Sequence, residues 1–333
     1  MNPSLILIFI VILLALSFDF INGMHDSANS IATVVSTRVL KPQYAVIWAA
    51  FFNFIAFIFF DPHVANTVGT GLVNPTVIDT YVLLAALTGA ICWGLITWYF
   101  GIPSSSSHAL VGGLIGAAVT KIGPSALLWS GLSKVLLSII ISPLLGMFLG
   151  IALMIVIFWI CRKKTPRAVD QWFRKLQFVS ATLVSLGHGG NDAQKTMGII
   201  AVLLFSTGHL GPKFHIPFWI ILICQLAMGL GTLTGGWRIV KAMGSGITKL
   251  KPVSGFSAET AGAITLFIAT ISGIPVSTTH TITGSIIGVG MVSSTSAVRW
   301  KLASRIVWAW IITIPSAGLI ASLVWWVVKR VKT

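Results

Sequence analysis

The 333-residue sequence predicts an all-α polytopic membrane protein built from two inverted-topology repeats. Three observations carry that prediction. The chain is 56% hydrophobic and 9% charged, with a mean hydropathy of +0.94. A soluble domain carries roughly a quarter charged residues, so this chain has too few polar groups to cover a water-facing surface. Apolar segments of about 20 residues, the length that crosses a bilayer, recur along the chain. Two short polar motifs also recur, in the same order and at nearly the same offset. A soluble enzyme, a nucleic-acid-binding domain and a disordered chain are thereby excluded.

The spans come first. Apolar segments lie near residues 4–35, 43–60, 80–100, 126–160, 178–206, 217–236, 257–272 and 301–328. Residues 6–16 have the length of a signal-peptide core but lack a basic region before it, and the apolar pattern resumes beyond Asp26, so they read as a first span. As one helix, 126–160 would be roughly 52 Å long against a hydrocarbon core of ~30 Å. Pro143 and Gly146 fall in its middle, so two crossings are expected there. Two further stretches, near 102–119 and 274–293, are short and rich in Gly, Ser and Thr, which suits re-entrant hairpins. The total is about nine to ten crossings plus two hairpins.

Basic residues set the orientation. The net charge of +15 comes from short loops. Arg162, Lys163, Lys164, Arg167, Arg174 and Lys175 lie in one of them, Arg238, Lys241, Lys249 and Lys251 in another, and Arg38 and Lys41 follow the first span. All three fall on one side, taken as cytoplasmic, if the N-terminus is outside. Residues 61–80 carry no Lys or Arg. Arg299, Lys301 and Arg305 come out on the outer face, against the rule. The 13 tryptophans read as interfacial anchors, and the charge as an orientation signal, with no nucleic-acid partner expected. Cys92, Cys161 and Cys224 have no metal or disulfide spacing.

The repeat is the most informative signal. Residues 23–30, GMHDSANS, resemble residues 189–196, GGNDAQKT, at an offset of 166. Residues 103–108, PSSSSH, resemble residues 275–280, PVSTTH, at an offset of 172; Gly112, Ile115 and Gly116 then match Gly284, Ile287 and Gly288. An odd number of crossings between the two copies inverts the second. Inverted repeats with interrupted helices are the usual plan of secondary transporters, with substrate at the midplane. The expected organisation is a first repeat over 1–160 with its hairpin near 102–119, a basic cytoplasmic linker over 161–177, and a second repeat over 178–333 with its hairpin near 274–293.

The motifs suggest a chemistry. Proline suits the first turn of a helix, and the Ser/Thr residues after it add hydroxyls to the free N–H groups of that turn. A helix N-terminus in the membrane is an anion site. Ser104, Ser105, Ser106 and Ser107, with Ser277, Thr278 and Thr279, are therefore the candidate substrate contacts. Two such tips converging from opposite sides would surround a tetrahedral oxyanion such as phosphate or sulfate. Asp26 and Asp192 are carboxylates within apolar stretches, which are functional candidates by default. With Asn22, Asn29 and Asn191 they offer hard oxygen ligands to a cation such as Na⁺. His25 stands where the second copy has Asn191, and Lys195 where the first has Asn29. Histidine titrates near neutral pH and lysine supplies a fixed positive charge, so both changes move a sodium-type site toward proton coupling. Glu259 is a further candidate cation ligand or ion-pair partner. His108 and His280 end their motifs and are expected to fix the hairpins. Asp19 reads as a residue at a segment end.

On these residues the chain resembles the inorganic phosphate transporter (PiT) family. Its signature is similar to residues 23–30 and 189–196, and its phosphate-contacting hairpin tips to residues 104–107 and 277–279. Asp26, Asn29, Asn191 and Asp192 match its cation-contacting positions. His25, Gln194 and Lys195 depart from the sodium-type pattern and are similar to the bacterial low-affinity branch. The resemblance implies a proton-coupled importer in a bacterial plasma membrane, with phosphate carried free or as a neutral metal–phosphate complex. The expected partners are inorganic phosphate, a coupling cation (H⁺ favoured over Na⁺), a co-transported divalent metal, the lipid bilayer and, as a possible assembly, a second copy in a homodimer. No resident cofactor or metal is expected. A sulfate permease of the same fold is the alternative. An intramembrane hydrolase using His25 and Asp26 is the reading from another class, and symmetric placement of the His/Asp residues over both repeats speaks against it.

Overall fold

The computed structural model describes residues 3–332 and consists of helices joined by short turns. The first half holds α1 (Pro3–Ser36), α2 (Pro42–Ile55), α3 (His63–Thr70), α4 (Thr80–Phe100), α5 (Ser106–Ile122) and α6 (Trp129–Cys161). The second holds α7 (Pro166–Ser206), α8 (Phe218–Thr234), α9 (Trp237–Lys241), α10 (Pro252–Ile271), α11 (Thr278–Ser293) and α12 (Trp300–Lys332). Among the described residues the only extended pairing is one antiparallel bridge, Val73 to Leu127.

Among the described residues five helices are long and apolar enough to cross a membrane: α1, α4, α6, α10 and α12. Two bent pairs add two spans, with α2 turning 81° into α3 and α8 turning 65° into the segment 237–246. That gives five to seven apolar spans, against about nine to ten crossings expected from the sequence. Part of the difference is α6. It runs unbroken for 33 residues, about 50 Å, with Pro143 inside it, where two crossings were expected. Proline removes one amide donor but leaves the helix free to continue. The Ile139 carbonyl that loses its donor faces the ring of His280.

A second difference concerns 161–177. Only a short turn separates α6 from α7, because Thr165 caps α7 by accepting from Ala168 N at 3.3 Å and Pro166 occupies its first turn. The basic residues from Arg167 onward therefore sit on a helix of 41 residues. From Gly187 to Leu204 every residue of α7 is buried, polar ones included. That polarity keeps α7 below the apolarity of a span although its length is ample.

Helix pairing crosses between the halves. Ideal Cβ atoms on Gly112 and Gly116 of α5 would lie 2.4 and 2.1 Å from the carbonyl oxygens of Ile314 and Gly318 on α12. On Gly284 and Gly288 of α11 they would lie 2.1 and 2.3 Å from those of Pro143 and Met147 on α6. Each half thus lends its short glycine-faced helix to the long proline-containing helix of the other. Small residues permit such backbone approach in membranes, where lipid offers no competing hydrophobic drive. The long helices turn their large side chains outward: Ile140, Phe148 and Trp159 of α6, and Trp308, Leu319 and Val327 of α12 are exposed.

Two chain breaks position the site. Gly101 ends α4 in the left-handed region at φ 65°, an ordinary helix stop for glycine. An extended segment follows to Ser105, whose side chain accepts from His108 N and caps α5. Likewise Gly273 has φ 66°, and Ser277 accepts from His280 N to cap α11. Pro103 and Pro275 precede these caps instead of occupying the first turn, as was expected; they hold the approach extended while serine supplies the cap. Residues 103–118 of the first break and helix are buried except Ile115 and Gly116, which are half-buried.

Candidate substrate and coupling-ion site

The first turns of α5 and α11 meet the middles of α1 and α7. His25 and Asp26 are 1% and 2% exposed, and Asp192 and Lys195 are 0% and 2% exposed. One hydrogen-bonded network joins them. His25 Nδ1 lies 2.9 Å from Asp26 Oδ1, while its Nε2 lies 3.3 Å from both Thr97 Oγ1 and Ser104 Oγ. Ser104 also donates to Thr97 Oγ1 at 2.8 Å. Asp26 accepts from Ser106 Oγ and Thr279 Oγ1, each at 3.3 Å. Asn29 Nδ2 donates to Thr278 Oγ1 at 3.0 Å and to Thr279 Oγ1 at 3.1 Å.

The second copy closes the network. Thr278 Oγ1 donates to Asp192 Oδ2 at 2.9 Å. Lys195 Nζ donates to Asp192 Oδ1, to Ser107 Oγ at 2.5 Å and to the Val276 carbonyl at 2.8 Å. Its charge is held by three oxygens drawn from α7, α5 and the approach to α11. His188 lies one turn before Asp192, with Nε2 3.1 Å from Asp192 Oδ2 and Nδ1 3.2 Å from Ser30 Oγ. Ligand atoms of Asp26, His188 and Asp192 all lie within 4.8 Å of one another. A buried set of two carboxylates and one imidazole fits a small cation.

Two hydroxylated helix N-termini therefore face two carboxylates and one ammonium. The helix ends supply unpaired N–H groups and partial positive charge for an oxyanion. The carboxylates supply acceptors, which an oxyanion engages only through protons of its own or through a shared cation.

Residues 22–321 match the pattern of the phosphate transporter family. The chain belongs to that family. It is 64% identical over 313 residues to a "probable low-affinity inorganic phosphate transporter" of Rhizobium meliloti, covering 94% of each chain. It is 43% identical to a protein of the same description from Bacillus subtilis, covering 99% of this chain and 100% of that one. Among solved structures it resembles "the sodium-dependent phosphate transporter", with a TM-score of 0.86, 25% identity, and coverage of 97% and 99% of the two chains. The chain is thus a multi-pass phosphate transporter.

Most of the residues singled out in the sequence of this phosphate transporter converge: His25, Asp26, Asn29, Asp192, Lys195, Ser104, Ser106, Ser107, Thr278 and Thr279 share the one network. Ser105 and Ser277 spend their hydroxyls on helix caps. Asn191 donates to Thr270 Oγ1 at 3.0 Å and the Ile274 carbonyl at 3.3 Å, bracing α7 against the end of α10. Gln194 ties α7 to α3 through Val64 N at 2.9 Å. Glu259 stands in a separate buried cluster, accepting from Thr33 Oγ1 and Ser180 Oγ at 2.5 Å each and from Gln177 Nε2 at 2.9 Å. His108 and His280 pack ring to ring at 4.5 Å, and His280 stacks on Trp310 at 3.8 Å. Trp310 is therefore a core residue, where an interfacial anchor was expected. Asp19 is 0% exposed within α1, where a segment end was expected. Sequence reasoning passed over His188, Ser30 and Thr97. Helical spacing held the signal for the first two, at one turn from Asp192 and from Asp26.

Proposed function

We propose that the chain imports inorganic phosphate across the bacterial plasma membrane by cation symport, with H⁺ favoured over Na⁺. Phosphate sits between the first turns of α5 and α11, held by Ser104, Ser106, Ser107, Thr278 and Thr279. The observation that carries this reading is the network in which the hydroxyls of both helix tips end on Asp26 and Asp192. Asp26, Asn29, Asn191 and Asp192 sense the coupling ion.

His25 and Lys195 give the proton preference. Lys195 fills with an ammonium the kind of three-oxygen pocket that a bound Na⁺ would occupy, so the second copy carries a permanent cation there. His25, whose Nδ1 lies 2.9 Å from Asp26 Oδ1, supplies an imidazole that can carry the coupling proton. Exchange between the two sides comes from the two halves moving as inverted repeats around the midplane. The crossed pairing of α5 with α12 and α11 with α6 supports such a plan. The basic end, from Arg162 to Lys175, is cytoplasmic on this reading, and the N-terminus is outside.

A divalent metal carried with phosphate has a matching donor set in Asp26, His188 and Asp192. Phosphate fits better than sulfate. Protonated phosphate donates to Asp26 and Asp192, whereas sulfate has no proton to offer and would leave both carboxylates facing an anion. Radiolabelled phosphate uptake into proteoliposomes, under separate H⁺ and Na⁺ gradients, with and without Mg²⁺ and with sulfate as competitor, tests the whole reading.

A further inference from the structure

Two turns before Asp26, α1 buries a second carboxylate that the network above does not use. Asp19 is 0% exposed, and neither of its oxygens has a hydrogen-bond partner. Its polar neighbours are Thr196 of α7 and Asn22 of α1. Both are buried, at 0% and 2% exposure, and Thr196 Oγ1 and Asn22 Oδ1 are themselves without partners. Four oxygen atoms from two helices thus lie together in the interior, with Thr196 and Asn22 near enough to act on the Asp19 carboxylate and none of the four in a close hydrogen bond. Isolated carboxylates are not kept ionised in such surroundings; they are neutralised or bind a cation.

The charged groups facing Asp19 do not satisfy it. Lys195 and Asp192 act on it from α7, with opposite signs, and the Cys224 thiol faces it from α8. Lys195 has its hydrogen bonds on Asp192, Ser107 and the Val276 carbonyl. The position is also close to the transport site along both helices. Asp19 lies seven residues before Asp26 on one helix, about 10 Å along its axis, and Thr196 directly follows Lys195 in α7.

We propose that Asp19, Asn22 and Thr196 form a second cation site, distinct from the Asp26–Asp192 network, that takes one positive charge as a proton or as Na⁺. The inference rests on reading the chain as a cation-coupled carrier. Carboxylate, amide carbonyl and hydroxyl are hard oxygen ligands for a small cation. A proton does the same work by turning the carboxylate into a donor toward Asn22 Oδ1 or Thr196 Oγ1. The site adds one unit of charge to each phosphate moved.

The test measures charge moved per phosphate in proteoliposomes of the full chain, by paired current and radiolabel, with Asp19→Asn and Asp19→Glu. Asp19→Asn is expected to move one charge fewer per phosphate. Its steady-state phosphate accumulation under an imposed tenfold ion gradient is expected to fall about tenfold, with Asp19→Glu restoring wild-type behaviour. Separate H⁺ and Na⁺ gradients identify the ion as the one whose effect is lost. Unchanged charge and accumulation in Asp19→Asn overturns the proposal. Should Asp19→Asn fail to yield folded protein, Thr196→Val decides: a rise of threefold or more in the activating cation's half-saturation supports the site, on the order expected for losing one ligand, and no change overturns it. A wild-type protein whose phosphate accumulation responds to neither the H⁺ nor the Na⁺ gradient defeats the coupling reading itself, a result separate from any difference between variants.

Discussion

Thr278 on the first turn of α11 donates to Asp192 Oδ2 on α7 at 2.9 Å, across 86 residues of sequence. The bond joins a helix tip suited to an anion to the carboxylate that also holds Lys195. On the binding mode proposed above, substrate arriving at the tip competes for that hydroxyl, and the competition reports on the Asp192–Lys195 pair. In the proposed mechanism this bond is the physical link between substrate and coupling charge.

Removing one partner of that pair strands the other. Asp192→Asn is expected to lower stability by about 3–5 kcal/mol, because the Lys195 ammonium stays buried without its counter-charge. The double variant Asp192→Asn, Lys195→Met is expected to regain most of that loss while transport stays abolished. Thermal unfolding in detergent, read beside phosphate uptake, separates the two effects.

Lys195→Asn restores the asparagine that the first copy carries at Asn29, and His25→Asn the one that the second carries at Asn191. Each is expected to move uptake from H⁺ dependence toward Na⁺ dependence, and the pair together more than either alone. Initial rates over pH 5.5–8 with and without Na⁺ provide the check. Profiles identical to wild type in both variants contradict the assignment.

Ser105→Ala and Ser277→Ala each remove a buried cap. A loss of about 1 kcal/mol is expected for each, with weaker phosphate binding, because the cap orients the first turn that faces the proposed substrate site. Ser→Thr at the same positions keeps the acceptor and is expected to retain binding. Phosphate titration by calorimetry distinguishes them.

Close helix pairing is also testable. A Cβ on Gly116 would sit 2.1 Å from the Gly318 carbonyl, and one on Gly288 2.3 Å from that of Met147. Gly116→Ala and Gly288→Ala are each expected to cost about 1–3 kcal/mol, since backbone must move to admit the methyl group. Melting temperature of the purified protein is the readout, and similar losses at both sites are expected from the matched crossings.

Much of this was legible in the sequence, for identifiable reasons. Charge scarcity and apolar length fixed the all-helical membrane class. The doubled motifs pointed to Asp26, Asp192 and both helix tips, because the offset of one copy from the other selects residues by position. What escaped depended on contacts between distant helices. Thr97 meets His25 only because α4 packs on α1. Glu259 joins Thr33, Gln177 and Ser180 in its own cluster, a separation invisible to spacing along the chain. Asp19 was misread because one carboxylate in an apolar run looks like a boundary until its burial is known. The two-crossing reading of 126–160 failed because Pro143 can be absorbed inside a helix, its freed carbonyl turned toward His280.

The central claim is that two hydroxylated helix tips deliver phosphate to a pair of carboxylates whose charge is set by a proton. Radiolabelled phosphate uptake into proteoliposomes under an inward H⁺ gradient or an inward Na⁺ gradient, with sulfate as competitor, tests it most directly. The account predicts accumulation driven by H⁺, little stimulation by Na⁺ and no competition by sulfate. Accumulation driven by Na⁺ alone, or strong inhibition by sulfate, would contradict it.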